Sequence, residues 1–171
     1  SDHGFHLGEH DFWAKVSLRD ESAKVPLIIS APGKKPGICH SFVELLDLYP
    51  TLSSLCGLTK QDRLQGKDIS PMLDDPSYEV REEAFCVAPM RTGFLLRNKK
   101  WAFIQYGEKL PAQLKGGFEH GRNGIELFDM EQDPQQFTNL SDTLKYQPVV
   151  QSFRKKLQGK LAVIRDCDLK K

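Results

Sequence analysis

The sequence predicts a mixed α/β chain (α+β in this segment), in which a strand and a helical region precede a small antiparallel sheet and a packed C-terminal helix. Three observations predict it. First, an apolar run at residues 25–30 is followed by apolar residues at helical spacing. Second, short runs rich in residues of high β propensity follow one another closely within residues 84–106. Third, apolar residues recur at helical spacing over residues 147–165. Short consecutive strands with tight links favour antiparallel pairing. The pattern changes near residue 80, which predicts domains at residues 1–80 and 81–171.

The first half contains one predicted strand and one predicted helical region. The compact apolar run from Val25 to Ser30 is typical of a buried strand, and prolines and glycines make residues 31–37 a loop. Ser41 and Glu44 are spaced as a capping box. The stripe that follows is expected to face the core, and Pro50 within it predicts a kink or two consecutive helices. Its members are Phe42, Leu45, Leu46, Tyr49, Leu52 and Leu55.

The second half contains the predicted sheet. Residues 84–88, 93–97, 100–106 and 125–130 are β-rich, and residues 97–100 supply a turn between two of these runs. The long glycine-containing loop at residues 107–124 carries His120 and Arg122, either substrate-facing or simply solvated. Residues 147–165 predict an amphipathic helix that packs on the sheet. Its apolar positions are Val150, Phe153, Leu157, Leu161 and Ile164.

Charge and cysteine content exclude several classes of function. The chain has 24 basic and 23 acidic residues, without a basic cluster that would suit nucleic acid or an anionic membrane. No apolar run approaches the roughly 20 residues of a membrane span. The 4 cysteines are widely spaced, which argues against a zinc site, and they leave both disulfides and the redox compartment open.

The first fifteen residues concentrate the groups that could perform chemistry. Asp2 and His3 are adjacent, and Gly4 gives the backbone the freedom to turn both side chains toward one point. A carboxylate oxygen and an imidazole nitrogen suit a divalent cation. Lys15 could neutralise an anionic substrate as a point charge. The alternative is a polar loop whose histidines are solvated.

Four motifs in order resemble the sulfatases of the alkaline-phosphatase-like superfamily, and most of all the iduronate-2-sulfatase-like members. They are SDHGFHLGEHDFWAK at residues 1–15, VPLIISAPG at 25–33, LDLYPTL at 46–52, and ELFDMEQDP at 126–134 followed by Asn139 and Leu140. The resemblance implies that residues 1–80 end the catalytic α/β domain and that residues 81–171 form the small C-terminal subdomain. The chain is therefore expected to be the C-terminal part of a longer protein.

The same resemblance implies roles for four residues. Asp2 and His3 match two of the family's calcium ligands, and Lys15 matches the lysine that contacts sulfate and protonates the leaving oxygen. His10 is either a substrate contact or a supporting residue. The resemblance also implies a sulfated saccharide or another sulfate ester as substrate, and a location in the periplasm, the lysosome or the extracellular space.

The nucleophile of that family is absent from this sequence. Sulfatases convert the Cys or Ser of a Cys/Ser-x-Pro-x-Arg motif to formylglycine, whereas the nearest match here, from Cys86 to Arg91, has its proline one place too late. The missing N-terminal part is therefore expected to supply the nucleophile and most calcium ligands, and the chain alone is expected to be inactive. Two alternatives stay open: part of a related metal-dependent phosphatase or phosphodiesterase, and a non-catalytic saccharide-binding module.

Overall fold

The computed structural model describes residues 1–59, 61–88, 93–107 and 124–166. Within these ranges the chain forms three α-helices, which are α1 (Asp20–Ala23), α2 (Leu48–Leu55) and α3 (Gln147–Asp166). Four strands are β1 (Glu83–Val87), β2 (Gly93–Asn98), β3 (Trp101–Tyr106) and β4 (Ile125–Asp129). Short 3-10 turns cover Glu9–Asp11, Leu45–Asp47, Ser70–Leu73 and Leu144–Tyr146. No helix among the described residues is long and apolar enough to cross a membrane.

The four strands form one sheet in the order β1-β2-β3-β4. β3 pairs antiparallel with both neighbours, and Phe103 lies opposite Leu96 on one side and Leu127 on the other. Asn98 closes the link between β2 and β3, because its Oδ1 accepts hydrogen bonds from the backbone N–H groups of Lys100 and Trp101. The predicted antiparallel sheet, its turn at residues 97–100 and the mixed α/β class are therefore confirmed.

Both faces of the sheet are covered. Side chains alternate along a strand, so one face carries Phe103 and Leu127 against α3, where the Phe103 and Phe153 rings stack 5.5 Å apart. The opposite face carries Ile104 and Phe128, and the N-terminal segment packs on it. Phe12 and Leu18 of that segment are buried there. The sheet thus positions the first 25 residues.

The contacts divide the chain into two compact units. One contains Ser1–Val25 with Phe85–Lys171, and the other contains Pro26–Ala84. The predicted boundary between residues 80 and 81 refers to the domains of a longer protein, and it stays a prediction.

The buried strand predicted at residues 25–30 is wrong. The segment forms no strand within the described chain, and Leu27 and Ile28 are 40% and 90% exposed. A strand must satisfy its backbone N–H and C=O groups by pairing with a neighbour. The described strands pair with one another in one four-stranded sheet, and this segment is not a member of it.

The orientation predicted for the helical stripe is also wrong. Leu45, Leu46, Tyr49 and Leu52 are exposed, and the buried positions of α2 are instead Pro50, Thr51 and Ser53. Thr51 accounts for this orientation, because its hydroxyl donates to the Asp47 carbonyl and accepts from the Ile69 N–H.

The helix start differs from the prediction as well. The capping box joins Glu44 and Asp47, one turn after Ser41, and a 3-10 turn leads directly into α2. Pro50 therefore lies in the first turn of α2, where a helix does not need its N–H.

Asp47 supports a stability prediction for this unit. Its buried carboxylate accepts from Arg81 Nη2 at 2.7 Å, from Arg81 Nη1, and from the backbone N–H groups of Lys67 and Glu44 at 2.8 Å each. Burial opposes ionisation, but the bonds from Arg81, Lys67 and Glu44 outweigh it and lower the pKa of Asp47. The ionised form therefore stabilises the fold above about pH 4, and this contribution is lost as the pH falls through the folded-state pKa.

We expect Asp47→Asn to lower the free energy of unfolding around α2 by about 3 kcal/mol at pH 7, because Arg81 loses its buried charged partner. Hydrogen exchange of the amides in residues 48–55 measures this loss. Asp74→Asn is the control, since Asp74 is exposed and its pair with Lys34 should be worth about 0–1 kcal/mol. Equal effects of the two substitutions, or an effect of Asp47→Asn that grows below about pH 4, would contradict the assignment.

Candidate active site

The N-terminal segment folds back on itself in a short hairpin. The His6 N–H donates to the Ala14 carbonyl at 2.9 Å, and the Gly8 N–H donates to the Phe12 carbonyl at 3.2 Å. The reversal uses positive φ angles at Gly8 (120°), His10 (59°) and Asp11 (53°). After the hairpin, the chain passes Gly4 again at Ser22, whose carbonyl accepts a hydrogen bond from the Gly4 N–H. A side chain at Gly4 would collide with the Glu21 carbonyl, so this glycine is needed for close packing.

Asp2, His3 and Lys15 all lie at the open end of this hairpin, beyond the His6–Ala14 pair. Asp2 Oδ2 lies 3.7 Å from His3 Nε2. The pKa of Asp2 is lowered by its own backbone N–H, then by His3, with a smaller contribution from the charge of Lys15. Asp2 and Lys15 are exposed and His3 is partly exposed, so a ligand can reach all three.

Nδ1 of His3 lies 2.8 Å from the Gly4 carbonyl oxygen, which can only accept, so Nδ1 donates this hydrogen bond. In the neutral ring, which is the form that binds a metal, Nε2 then carries the lone pair, on the side of Asp2. A backbone carbonyl that orients the second nitrogen in this way is typical of metal-binding histidines.

Asp2 and His3 suit a cation as part of a site, since they offer one carboxylate and one oriented imidazole nitrogen. No group of three or more His, Cys, Asp or Glu side chains could hold a metal ion among the described residues. Ca²⁺ takes about six to eight oxygen ligands. These two residues therefore fit calcium only if further ligands come from outside the described chain.

His10 is placed differently. Its side chain is only 5% exposed, with Nε2 3.5 Å from Glu21 Oε1 and the ring centre 4.8 Å from that of Phe137. Arg19 Nη1 donates to His10 Nδ1 at 2.9 Å. Burial first, and then the charge of Arg19, lower the pKa of His10, so the ring is neutral at pH 7. The structure shows protein contacts for this ring, and the substrate contact stays a prediction.

Arg19 was not predicted. Its guanidinium is buried, donates from Nη1 to the Gln136 carbonyl at 2.6 Å, and lies 3.3 Å from Glu126 Oε1. It also lies over the Phe128 ring, 4.8 Å from the centroid. Gln136 and Glu126 are more than a hundred positions away from Arg19, so local pattern carried no signal for these partners.

The other candidate residues from the sequence are His120, Arg122 and the cysteines. His120 and Arg122 lie outside the described residues. Cys39 and Cys56 are free thiols, and Cys86 lies in β1 as expected.

Comparison with known proteins shows the family to which the chain is similar. Residues 8–162 match the family described as N-sulphoglucosamine sulphohydrolase, C-terminal. A choline-sulfatase of Rhizobium meliloti (strain 1021) is 32% identical over 83% of this chain and 26% of its own length. The structure of a 2-O GAG sulfatase matches 96% of this chain and 35% of its own, at 25% identity and a TM-score of 0.75.

An enzyme that is not named as a sulfatase also shares the fold. The phosphonate monoester hydrolase of Agrobacterium radiobacter matches 95% of this chain and 34% of its own, with 24% identity and a TM-score of 0.73. The chain spans between a quarter and about a third of these three proteins. Because the family match covers residues 8–162, the chain belongs to the sulfatase family, as a member of its N-sulphoglucosamine sulphohydrolase C-terminal group.

Proposed function

We propose that this chain is the C-terminal part of a sulfatase that hydrolyses sulfate esters. The observation that carries the proposal is that Asp2, His3 and Lys15 share one accessible end of the N-terminal hairpin. A cation-binding pair beside an ammonium suits an ester whose sulfuryl oxygens carry negative charge. The family membership supports the same chemistry.

Each of the three residues has a proposed task. Asp2 and His3 would hold the calcium ion, which when bound supplies a positive charge next to the sulfuryl oxygens. Lys15 would bind another sulfuryl oxygen, and its ammonium would donate a proton to the leaving oxygen as the S–O bond breaks. The nucleophile, a formylglycine by resemblance to the family, would come from the N-terminal part of the parent protein.

The exposed apolar surface of Pro26–Ala84 supports the proposal of a longer parent protein. Ile28 is 90% exposed, and Tyr49 and Leu52 of α2 are 57% and 59% exposed. Large apolar patches on a soluble protein mark surfaces that contact another protein segment or a ligand. We propose that the N-terminal part of the same protein covers them and brings the nucleophile and the remaining calcium ligands to Asp2 and His3.

A sulfated saccharide is the proposed substrate. The family description names N-sulphoglucosamine and one structural relative is a GAG sulfatase, which support this class and are compatible with the iduronate-2-sulfatase-like subtype. A choline-sulfatase is also a relative, so the rate of hydrolysis of a sulfated saccharide should be compared with that of choline sulfate.

A second candidate function is a metal-dependent phosphatase or phosphodiesterase, and the fold shared with a phosphonate monoester hydrolase favours it. In that case an N-terminal Ser or Thr nucleophile and zinc would replace formylglycine and calcium. The third candidate is a saccharide-binding module without catalysis.

Hydrolysis of an aryl sulfate tests these candidates. The purified chain should show no turnover with calcium or after chelation, and the parent protein with its N-terminal part should show calcium-dependent turnover. Turnover by the chain alone would overturn the nucleophile assignment. Zinc-dependent hydrolysis of an aryl phosphate in preference to the sulfate would establish the second candidate. Metal-independent saccharide binding by an otherwise inactive parent protein would establish the third.

A further inference from the structure

One side chain joins the two ends of the loop that carries Lys15. His10 precedes the loop and Arg19 follows it, and the 2.9 Å bond from Arg19 Nη1 to His10 Nδ1 connects them. Arginine can only donate, so His10 Nδ1 must be the unprotonated nitrogen that accepts. The bond is therefore directional and fixes the ring in one tautomer. Lys15 lies between these two residues along the chain.

The same guanidinium fastens this loop to the sheet. It donates to the Gln136 carbonyl at 2.6 Å, and its Nη2 donates to Glu126 Oε1 in β4 at 3.3 Å. Gln136 also binds the residue that follows Arg19: its side-chain Oε1 accepts a hydrogen bond from the Asp20 N–H at 2.7 Å. Glu126 and Gln136 are both fully buried. Buried residues of β4 and of the Gln136 turn thus hold the base of the loop.

Residues that Arg19 contacts have an unfavourable backbone conformation, with positive φ. His10, Asp11 and Gln136 are non-glycine residues with φ of 59°, 53° and 60°. The left-handed region costs about 1–2 kcal/mol for each such residue, so it persists only where surrounding contacts impose it. The bonds of Arg19 to His10 and to the Gln136 carbonyl act on two of these three residues. Fold stability alone does not require a buried charge, since apolar residues of similar volume often replace buried ion pairs without loss.

We propose that Arg19 is the positioning residue of the active site: it closes the loop that carries Lys15 and holds that loop on β4 and on the Gln136 turn. The proposal rests on the function proposed above, in which Lys15 binds and protonates the sulfate ester. Arg19 acts on the substrate only through Lys15, because its guanidinium is buried among His10, Glu126, Gln136 and Phe128.

Arg19→Lys in the parent protein with its N-terminal part is the first test. Lysine keeps the charge, but its single ammonium cannot reproduce the planar fork that serves three partners at once. We expect kcat for a sulfate ester to fall about 10- to 100-fold with KM changed less than about threefold, because Lys15 is displaced while the remaining contacts to substrate persist. Arg97→Lys is the matched control: Arg97 pairs with Asp20 at 3.3 Å, and kcat should stay within about twofold.

A double-mutant cycle with Lys15→Met separates positioning from general destabilisation. If Arg19 acts through Lys15, the variant carrying both substitutions should be about as slow as Lys15→Met alone. If the two rate factors multiply, the proposal for Arg19 is overturned while the role of Lys15 stands. If Lys15→Met has normal kcat, the proposed function itself fails, and the proposal for Arg19 fails with it.

His10 supplies a second test in case Arg19→Lys does not fold. The amide oxygen of His10→Gln can accept the Arg19 hydrogen bond, whereas the side chain of His10→Leu cannot. The glutamine variant should therefore keep kcat within about threefold, and the leucine variant should lose about 10-fold or more. A raised KM with unchanged kcat in both variants would instead support a substrate contact by His10 and would overturn the proposed loop closure.

Discussion

Lys15→Met in the proposed parent sulfatase should lower kcat for a sulfated sugar by about 10²- to 10⁴-fold, which is the usual contribution of a general acid. An ammonium neutralises charge on the sulfuryl group and also supplies the proton that a sugar alkoxide needs when the S–O bond breaks. Methionine has a similar length and no charge. Steady-state kinetics of the two proteins at saturating calcium measures the effect.

The leaving group gives this experiment a second, independent readout. A nitrophenolate leaves without protonation far more readily than a sugar alkoxide, so the aryl sulfate should lose less activity than the sulfated sugar. Equal losses for the two substrates would show that Lys15 only binds sulfate. Lys24→Met is the control, since Lys24 is an exposed lysine of the same segment and its replacement should leave kcat unchanged.

Phe103→Ala should lower the free energy of unfolding of the sheet-containing unit by about 3–5 kcal/mol. Phe103 is fully buried in β3, contacts the α3 side of the core, and stacks on Phe153 at 5.5 Å. Alanine leaves a cavity between the sheet and α3 that neighbouring side chains fill only in part. The expected loss is a large fraction of the stability of a domain of this size.

Tryptophan fluorescence during urea unfolding measures this loss selectively. Both tryptophans of the chain, Trp13 and Trp101, lie in the unit of Ser1–Val25 and Phe85–Lys171. Leu144→Ala is the control, because Leu144 is 88% exposed and its replacement should change the free energy by less than about 0.5 kcal/mol. A change below about 1 kcal/mol for Phe103→Ala would show that α3 does not depend on this contact.

Local patterns were sufficient for the C-terminal half of the fold. β2, β3, β4 and α3 begin and end within one or two residues of their predicted bounds, because strand alternation and helical periodicity are properties of neighbouring residues. The same patterns failed at residues 25–30 and at α2. An apolar run indicates that a segment will be buried, but the partner that buries it must be present, and the described strands and helices do not provide it.

The sequence by itself determined the sheet, the C-terminal helix and the identity of Asp2, His3 and Lys15 as candidate residues, because these depend on periodicity and on one contiguous motif. Only the tertiary structure decided that these three residues share the open end of one hairpin, that α2 turns its apolar side outward, and that Arg19 joins His10 to Glu126 and Gln136. The physical reason is distance along the chain. A buried charge must find partners wherever the fold brings them, and two of those of Arg19, Glu126 and Gln136, lie on a strand and a turn more than a hundred residues away.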